Sequence, residues 1–188
     1  VALDFHDFWG PLREVVNTTG WTVIEYGTLW EDVGHNLGED PVADTLLRVE
    51  AALTQGLPAS ELPAHPSHSN FPGEVPANAS RISRTITIDG NQSGLPSNFG
   101  YAGARSHIRV TTGLYAAAGD VVTVSLPQPV VDSGAYVLVG AHSDSLWGKD
   151  QLHRHPEIAR WWYVDQPYIE VGNAFGGPIY LAIEAGSV

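Results

Sequence analysis

The sequence runs to 188 residues, with nine basic against twenty-one acidic side chains and a formal net charge of −12. A field of that sign repels phosphate backbones and anionic lipid, which argues against nucleic-acid binding and membrane-surface roles. No apolar run approaches the roughly 20 residues of a membrane-spanning helix, and the lack of cysteine removes disulfides, thiolate zinc sites and cysteine nucleophiles. A hydrophobic content of 43% suits one buried core. The opening Val1-Ala2-Leu3-Asp4-Phe5-His6-Asp7 has neither the basic region nor the long apolar region of a signal peptide. Three sequons, at Asn17, Asn78 and Asn91, exceed what chance supplies and point to a secreted, glycosylated protein.

Taken in order, the chain begins with apolar residues at helix-like spacing that Gly10-Pro11 interrupts, which predicts a short helix over 11–16. Residues 21–26, rich in β-branched and aromatic side chains, read as a strand. The strongest helix signal follows. Asp40 can cap it, Pro41 fits its first position, and Val42, Leu46, Val49 and Leu53 recur at i, i+4, i+7 and i+11. Asp44, Arg48 and Glu50 fall off that stripe, and Gly56 reads as the C′ stop. These features predict a small helical unit over 1–56. Pro58, Pro63, Pro66, Pro72 and Pro76 then predict an extended connector over 57–79, a poor host for a metal at His65 or His68.

From residue 80 onward the pattern changes to β. Ile82, Ile86 and Ile88 alternate with Ser83, Thr85 and Thr87, the period of a half-buried strand. The Gly- and Ser-rich stretch 93–106 reads as a long loop. Further strands are expected at 107–111, 121–126, 135–141, 168–171 and 179–183, and a short helix at 156–162. Short strands separated by Gly and Pro turns predict a mainly β fold, an antiparallel β-sandwich over about 80–188.

Four motifs in this region stand together: Thr112-Gly113-Leu114-Tyr115 running to Gly119, Gly140-Ala141-His142-Ser143-Asp144-Ser145-Leu146, Arg154-His155-Pro156-Glu157-Ile158, and Asn173-Ala174-Phe175-Gly176-Gly177-Pro178-Ile179-Tyr180. With Leu62-Pro63-Ala64-His65-Pro66 and Phe71-Pro72-Gly73 before them, the sequence resembles the opening portion of the enhancin-like metallopeptidases, zinc enzymes directed at mucins and glycoproteins. The resemblance implies a β-sandwich ahead of a catalytic module. That module would carry a His-Glu-x-x-His helix whose histidines ligate zinc and whose glutamate activates water. No such motif occurs here; His153-Arg154-His155-Pro156-Glu157 has the wrong spacing. The implied chain stops short of the peptidase, with no catalytic residue and no cofactor of its own, zinc being expected only in the missing module.

Candidate sites remain. His142 and Asp144, two apart and on one face of a strand, could join His153 or His155 in a His/carboxylate metal site, or could simply fix a turn by hydrogen bonds. Trp147, Trp161, Trp162 and Tyr163, with Asp144 nearby, could stack against sugar rings or fill a core. Adjacent Trp161 and Trp162 cannot both point inward, so one faces solvent or a partner. Ser143 and Ser145 beside His142 match a hydrolase triad in composition only, because strand neighbours point to opposite faces. Gly176-Gly177 lacks the Lys-Ser/Thr of a phosphate loop and reads as a tight turn. Three functions follow: a sandwich that recognises or positions a glycoprotein substrate for a peptidase, a stand-alone lectin-like secreted binder, or an extracellular self-associating protein. The expected partners are a glycoprotein or glycan, a C-terminal catalytic portion or a second copy, with neither nucleic acid nor membrane insertion.

Overall fold

A computed structural model of the chain describes residues 35–69, 71–89 and 107–184. The helix expected at 11–16, the strand at 21–26, the loop at 93–106 and the sequons at Asn17 and Asn91 lie outside these residues. Asn78 lies on an exposed turn. The strands are β1 (His35–Asn36), β2 (His107–Ala116), β3 (Val122–Ser125), β4 (Tyr136–Val139), β5 (Gln151–Leu152), β6 (Arg160–Tyr163), β7 (Tyr168–Val171) and β8 (Gly177–Glu184), with helix α1 (Pro41–Gly56) following β1. Four of them form a sheet in the order β2-β8-β4-β6, and β3 pairs with β7, every pair antiparallel. Period-2 alternation turns Val137, Val139, Ile179, Leu181 and Ile183 of the larger sheet toward Ile169 and Val171 of the smaller one. The result is the antiparallel sandwich that the sequence pattern predicts, with one α-helix ahead of it among the described residues.

Helix α1 has the predicted start. The Asp40 carboxylate accepts from the Val42 and Ala43 amides at 3.0 and 3.1 Å, and Pro41 occupies the first turn. Its buried face differs from the predicted stripe. Leu47, Glu50, Ala51, Leu53 and Thr54 are buried, whereas Val42 is 69% exposed. The inward stripe includes two polar residues, and a pattern that counts only apolar positions turns it outward. Gly56 is the last helical residue rather than a left-handed stop; the chain leaves through extended Leu57, whose amide bonds to the Leu53 carbonyl. Leu53 and Leu57 pack with Leu62, Ile158, Ala174 and Phe175, so the helix shares a core with the β region.

Three further expectations are corrected. Residues 81–89 form no strand; Ile82 and Ile86 are exposed, and only Ile88 leans on the core. This segment instead borders a cleft of about 450 Å³ that also touches Thr112, Val124 and Tyr180. Alternation selects a face but does not supply ladder hydrogen bonds. The helix expected at 156–162 is replaced by β6, because Trp161 and Trp162 pair with Leu138 and Val137 of β4 and aromatic side chains suit a pleated surface. The connector is not an extended tether. It coils into 3₁₀ turns at Ala59–Glu61 and Pro66–Ser69 and buries Leu62, His65 and Ser67.

One side chain ties these parts together. The Asn173 amide donates to the carbonyls of Val139 and Ile158, both at 2.8 Å, while its oxygen accepts from Phe175 N at 3.0 Å. Its own carbonyl accepts from Gly119 and Gly176 at 3.0 Å. The adjoining glycines follow from close backbone approach. A Cβ on Gly177, whose φ is +140°, would stand 2.6 Å from Gly140 Cα, and one on Gly119 would stand 2.6 Å from the Ala64 nitrogen. Asn173→Ala takes donors from two buried carbonyls at about 1–3 kcal/mol each, so a loss of about 2–5 kcal/mol is expected, read as a lower urea midpoint at constant m-value. Gly177→Ala is expected to cost about 2–4 kcal/mol in the same titration through strain and overlap.

Candidate functional site

Where α1, the connector and the loop before β6 meet, three polar side chains converge. Glu50 comes from the inward face of the helix, His65 from the residue preceding the second 3₁₀ turn, and His155 from the segment between β5 and β6. They are 3%, 0% and 0% exposed. His65 Nε2 stands 3.7 Å from Glu50 Oε2, longer than a hydrogen bond, and the imidazole centroids are 5.3 Å apart. Phe175 packs on both rings, at 4.7 and 4.8 Å. The His65 amide donates to the Ala174 carbonyl at 2.8 Å, which fixes the connector against the Asn173 turn.

Burial governs the charge of this cluster. It holds the His65 pKa down to about 3, with repulsion from His68 a smaller cause. Burial likewise keeps His155 well below the ordinary histidine value, with smaller downward contributions from His65 and Arg154 and an opposing one from its bond to the Glu157 backbone. A carboxylate at 3.7 Å would favour imidazolium, but desolvation dominates and both rings are neutral near pH 7. His155 Nδ1 lies 3.0 Å from the Glu157 carbonyl and 3.4 Å from the Glu157 amide, and the shorter contact favours the tautomer with the proton on Nδ1 and the lone pair on Nε2. Nε2 is buried and has no hydrogen-bond partner. Among the described residues, Glu50, His65 and His155 form the group of three whose ligand atoms lie within 4.8 Å of one another.

A second feature lies on the outer face of the larger sheet. Tyr136 meets Trp161 at 5.9 Å, Tyr163 at 5.4 Å and His107 at 5.3 Å, each edge to face, and the Arg109 guanidinium sits 5.2 Å from the Trp161 ring. Trp161 also walls a cleft of about 110 Å³ whose other sides include Gln55, Asp144, Ser143, Ser145 and Glu157. The lining residues combine an aromatic with carboxylate, amide and hydroxyl types.

The residues singled out from sequence separate accordingly. Asp144 and His142 line this cleft with Trp161, and Asp144 accepts from Arg154 at 2.8 Å. His142 is exposed against Phe71, and exposed His153 bonds Gln151. His155 alone of that proposed metal set is buried, and it joins Glu50 and His65 rather than His142, Asp144 or His153. Trp162 turns inward, donating to the Gly172 carbonyl at 2.9 Å beneath Arg160, and Trp147 packs near Leu47 and Leu152 under Arg48. Tyr163 is 44% exposed. Sequence reasoning missed Glu50, assigned to the outer face of its helix, and His65, assigned to a loose connector. The available signal for His65 was its place beside Leu62 and before a second apolar group at Phe71.

Fold and site together define an antiparallel β-sandwich domain with a buried histidine–carboxylate cluster at one end and an aromatic, acid-lined cleft outside. The chain belongs to the family of N-terminal domains of M60-like peptidases, which it matches over residues 77–187, more than half its length. The resemblance drawn from the sequence holds at the level of this N-terminal domain. The chain is also similar to a TRPM8 channel-associated factor homolog of Xenopus laevis, 31% identical over 103 residues, covering 55% of this chain and 10% of that protein. TRPM8 channel-associated factor 2 of Homo sapiens is 32% identical over 78 residues, 42% of this chain and 8% of its own length. A Danio rerio homolog is 31% identical over 72 residues, 38% of this chain and 8% of that protein. The matched segments thus span a tenth or less of these relatives. No solved structure gives a significant match.

Phe175 is the apolar wall that keeps the two imidazoles dry. Phe175→Ala is expected to lower unfolding free energy by about 3–5 kcal/mol, checked by denaturant unfolding, because it opens a cavity beside buried polar groups.

Proposed function

We propose that this domain recognises a glycoprotein and positions it for an M60-like peptidase portion, with the Trp161 cleft receiving part of a glycan outside the cell. The carrying observation is the cleft itself, which Trp161 lines together with Asp144, Glu157 and Gln55. An aromatic face stacks on the apolar face of a sugar ring, while carboxylates and amides accept and donate to its hydroxyls. A volume of about 110 Å³ is below the ~300–1,000 Å³ of drug-sized sites, which suits one terminal sugar better than an extended ligand. Family membership supports a role alongside a peptidase, and the relatives named for association with a channel support recognition as the domain's contribution. An extracellular setting agrees with the exposed sequon at Asn78, and no helix among the described residues is long and apolar enough to cross a membrane.

Binding of the purified chain to an immobilised mucin-type glycoprotein, before and after enzymatic deglycosylation, tests this reading. The expected result is binding that deglycosylation removes and that Trp161→Ala weakens tenfold or more, about 1.4 kcal/mol, with Trp147→Ala near wild type. Equal binding to the deglycosylated protein, or an unaltered Trp161→Ala, would sink it.

A further inference from the structure

The buried cluster has the composition of a metal site. Two imidazoles and one carboxylate make a nitrogen and oxygen donor set that suits zinc and lacks the all-oxygen character that calcium and magnesium require. Each donor comes from a different part of the chain, separated by 15 and 90 positions, and each is buried. The Nε2 of His155 is buried with no hydrogen-bond partner, a costly state for a polar atom unless something compensates it.

The histidine geometry points the same way. His155 Nδ1 stands 3.0 Å from a backbone carbonyl, the usual outer contact of a metal-bound histidine and nearer than the Glu157 amide at 3.4 Å, and its Nε2 is buried without a hydrogen-bond partner. His65 Nδ1 lies 2.7 Å from Ser67 Oγ, a hydroxyl able to accept its proton and so release the Nε2 lone pair. The Ser67 amide, 3.2 Å from the same nitrogen, favours the other tautomer, and a cation on Nε2 would reverse that preference. Zinc bonds of about 2.0–2.1 Å place ligand atoms roughly 3.3 Å apart. The contact between His65 and Glu50, at 3.7 Å, is close to this, and all three ligand atoms lie within 4.8 Å of one another.

We propose that Glu50, His65 and His155 bind one zinc ion that clamps helix α1 and the connector onto the β-sandwich. The ion is structural, since all three ligands are buried and Phe175 covers both rings. It is separate from the zinc of a His-Glu-x-x-His module, which this sequence does not contain. It also differs from the surface set of His142, Asp144 and His153, which the fold does not bring together with His155.

The test uses the 188-residue chain stripped of metal by chelator and returned to zinc chloride alone. Elemental analysis after dialysis is expected to give about one zinc per chain. At a hundredfold excess of zinc over Kd, the Tm is expected to rise by roughly 5–10 °C, a gain that chelator reverses. Cobalt(II) in place of zinc is expected to give the visible absorption of a low-coordinate nitrogen and oxygen site. His155→Gln and Glu50→Gln should abolish retention and the Tm gain, while His153→Ala keeps both. Should the buried variants fail to fold, the cobalt spectrum and the zinc-dependent Tm of the unaltered chain decide the matter. No retained zinc together with an unchanged Tm overturns the proposal, and so does zinc lost on His153→Ala but kept on His155→Gln.

Discussion

The structure depends on the carboxamide of Asn173. A buried amide that donates twice and accepts once supplies bonds to three backbone groups, one at a strand end and two in the flanking loops. Val139 is the last residue of β4 and Ile158 precedes β6, so the two donated bonds hold the strand exit and the strand entry at a fixed separation. The accepted bond curls residues 173–175 so that Phe175 points under the imidazoles and the Ala174 carbonyl meets the connector. An aspartate of the same shape would offer no donor to either carbonyl. A hydrophobic residue would leave both carbonyls to find other donors.

The same turn explains why glycine recurs around it. The turn 173–177 passes tightly against two other backbone segments: a Cβ on Gly176 would stand 2.8 Å from Ala116 O and Ala118 N, and one on Gly177 2.6 Å from Gly140 Cα. Hydrogen bonds from Gly140 N to the Pro178 carbonyl and from Gly119 N to the Asn173 carbonyl seal the approach. Thr112 plays a related part in β2. Its hydroxyl donates to the Ile179 carbonyl at 2.7 Å where the pairing of β2 with β8 is irregular, replacing a ladder bond with a side-chain bond.

Much of the sandwich was legible because its strands announce themselves locally. Residues 107–111, 168–171 and 179–183 have the period and the β-branched content of strands; the first and last are longer in the fold, and 168–171 keeps its bounds. Three misreadings share a cause. At 81–89 the alternation was present without a partner edge, at 156–162 a proline at a plausible helix start was outweighed by pairing with β4, and in α1 the inward stripe was polar at Glu50 and Thr54. Each outcome turns on contacts distant in sequence, which periodicity cannot carry. The aromatic group divided as strand geometry requires, Trp161 outward and Trp162 inward, and its proximity to Asp144 was readable. Glu50 and His65 were not, since burial of a polar residue leaves no mark on its neighbours in the chain.

The segment 155–161 joins the two sites. His155 faces the buried cluster, and its Nδ1 is bonded to the carbonyl of Glu157, a residue that lines the outer cleft. Ile158 contributes its carbonyl to Asn173 and its side chain to the core, Ala159 accepts from Gln55 of α1 at 3.2 Å, and Trp161 then forms the cleft wall. Gln55 lies on the same helix as Glu50, one and a half turns further along. A shift of the helix against this segment would therefore move Glu50 against His155 and Gln55 against Glu157 and Trp161 together. On that side the cleft and the polar cluster are built on the same helix and the same segment, so one backbone framework positions both.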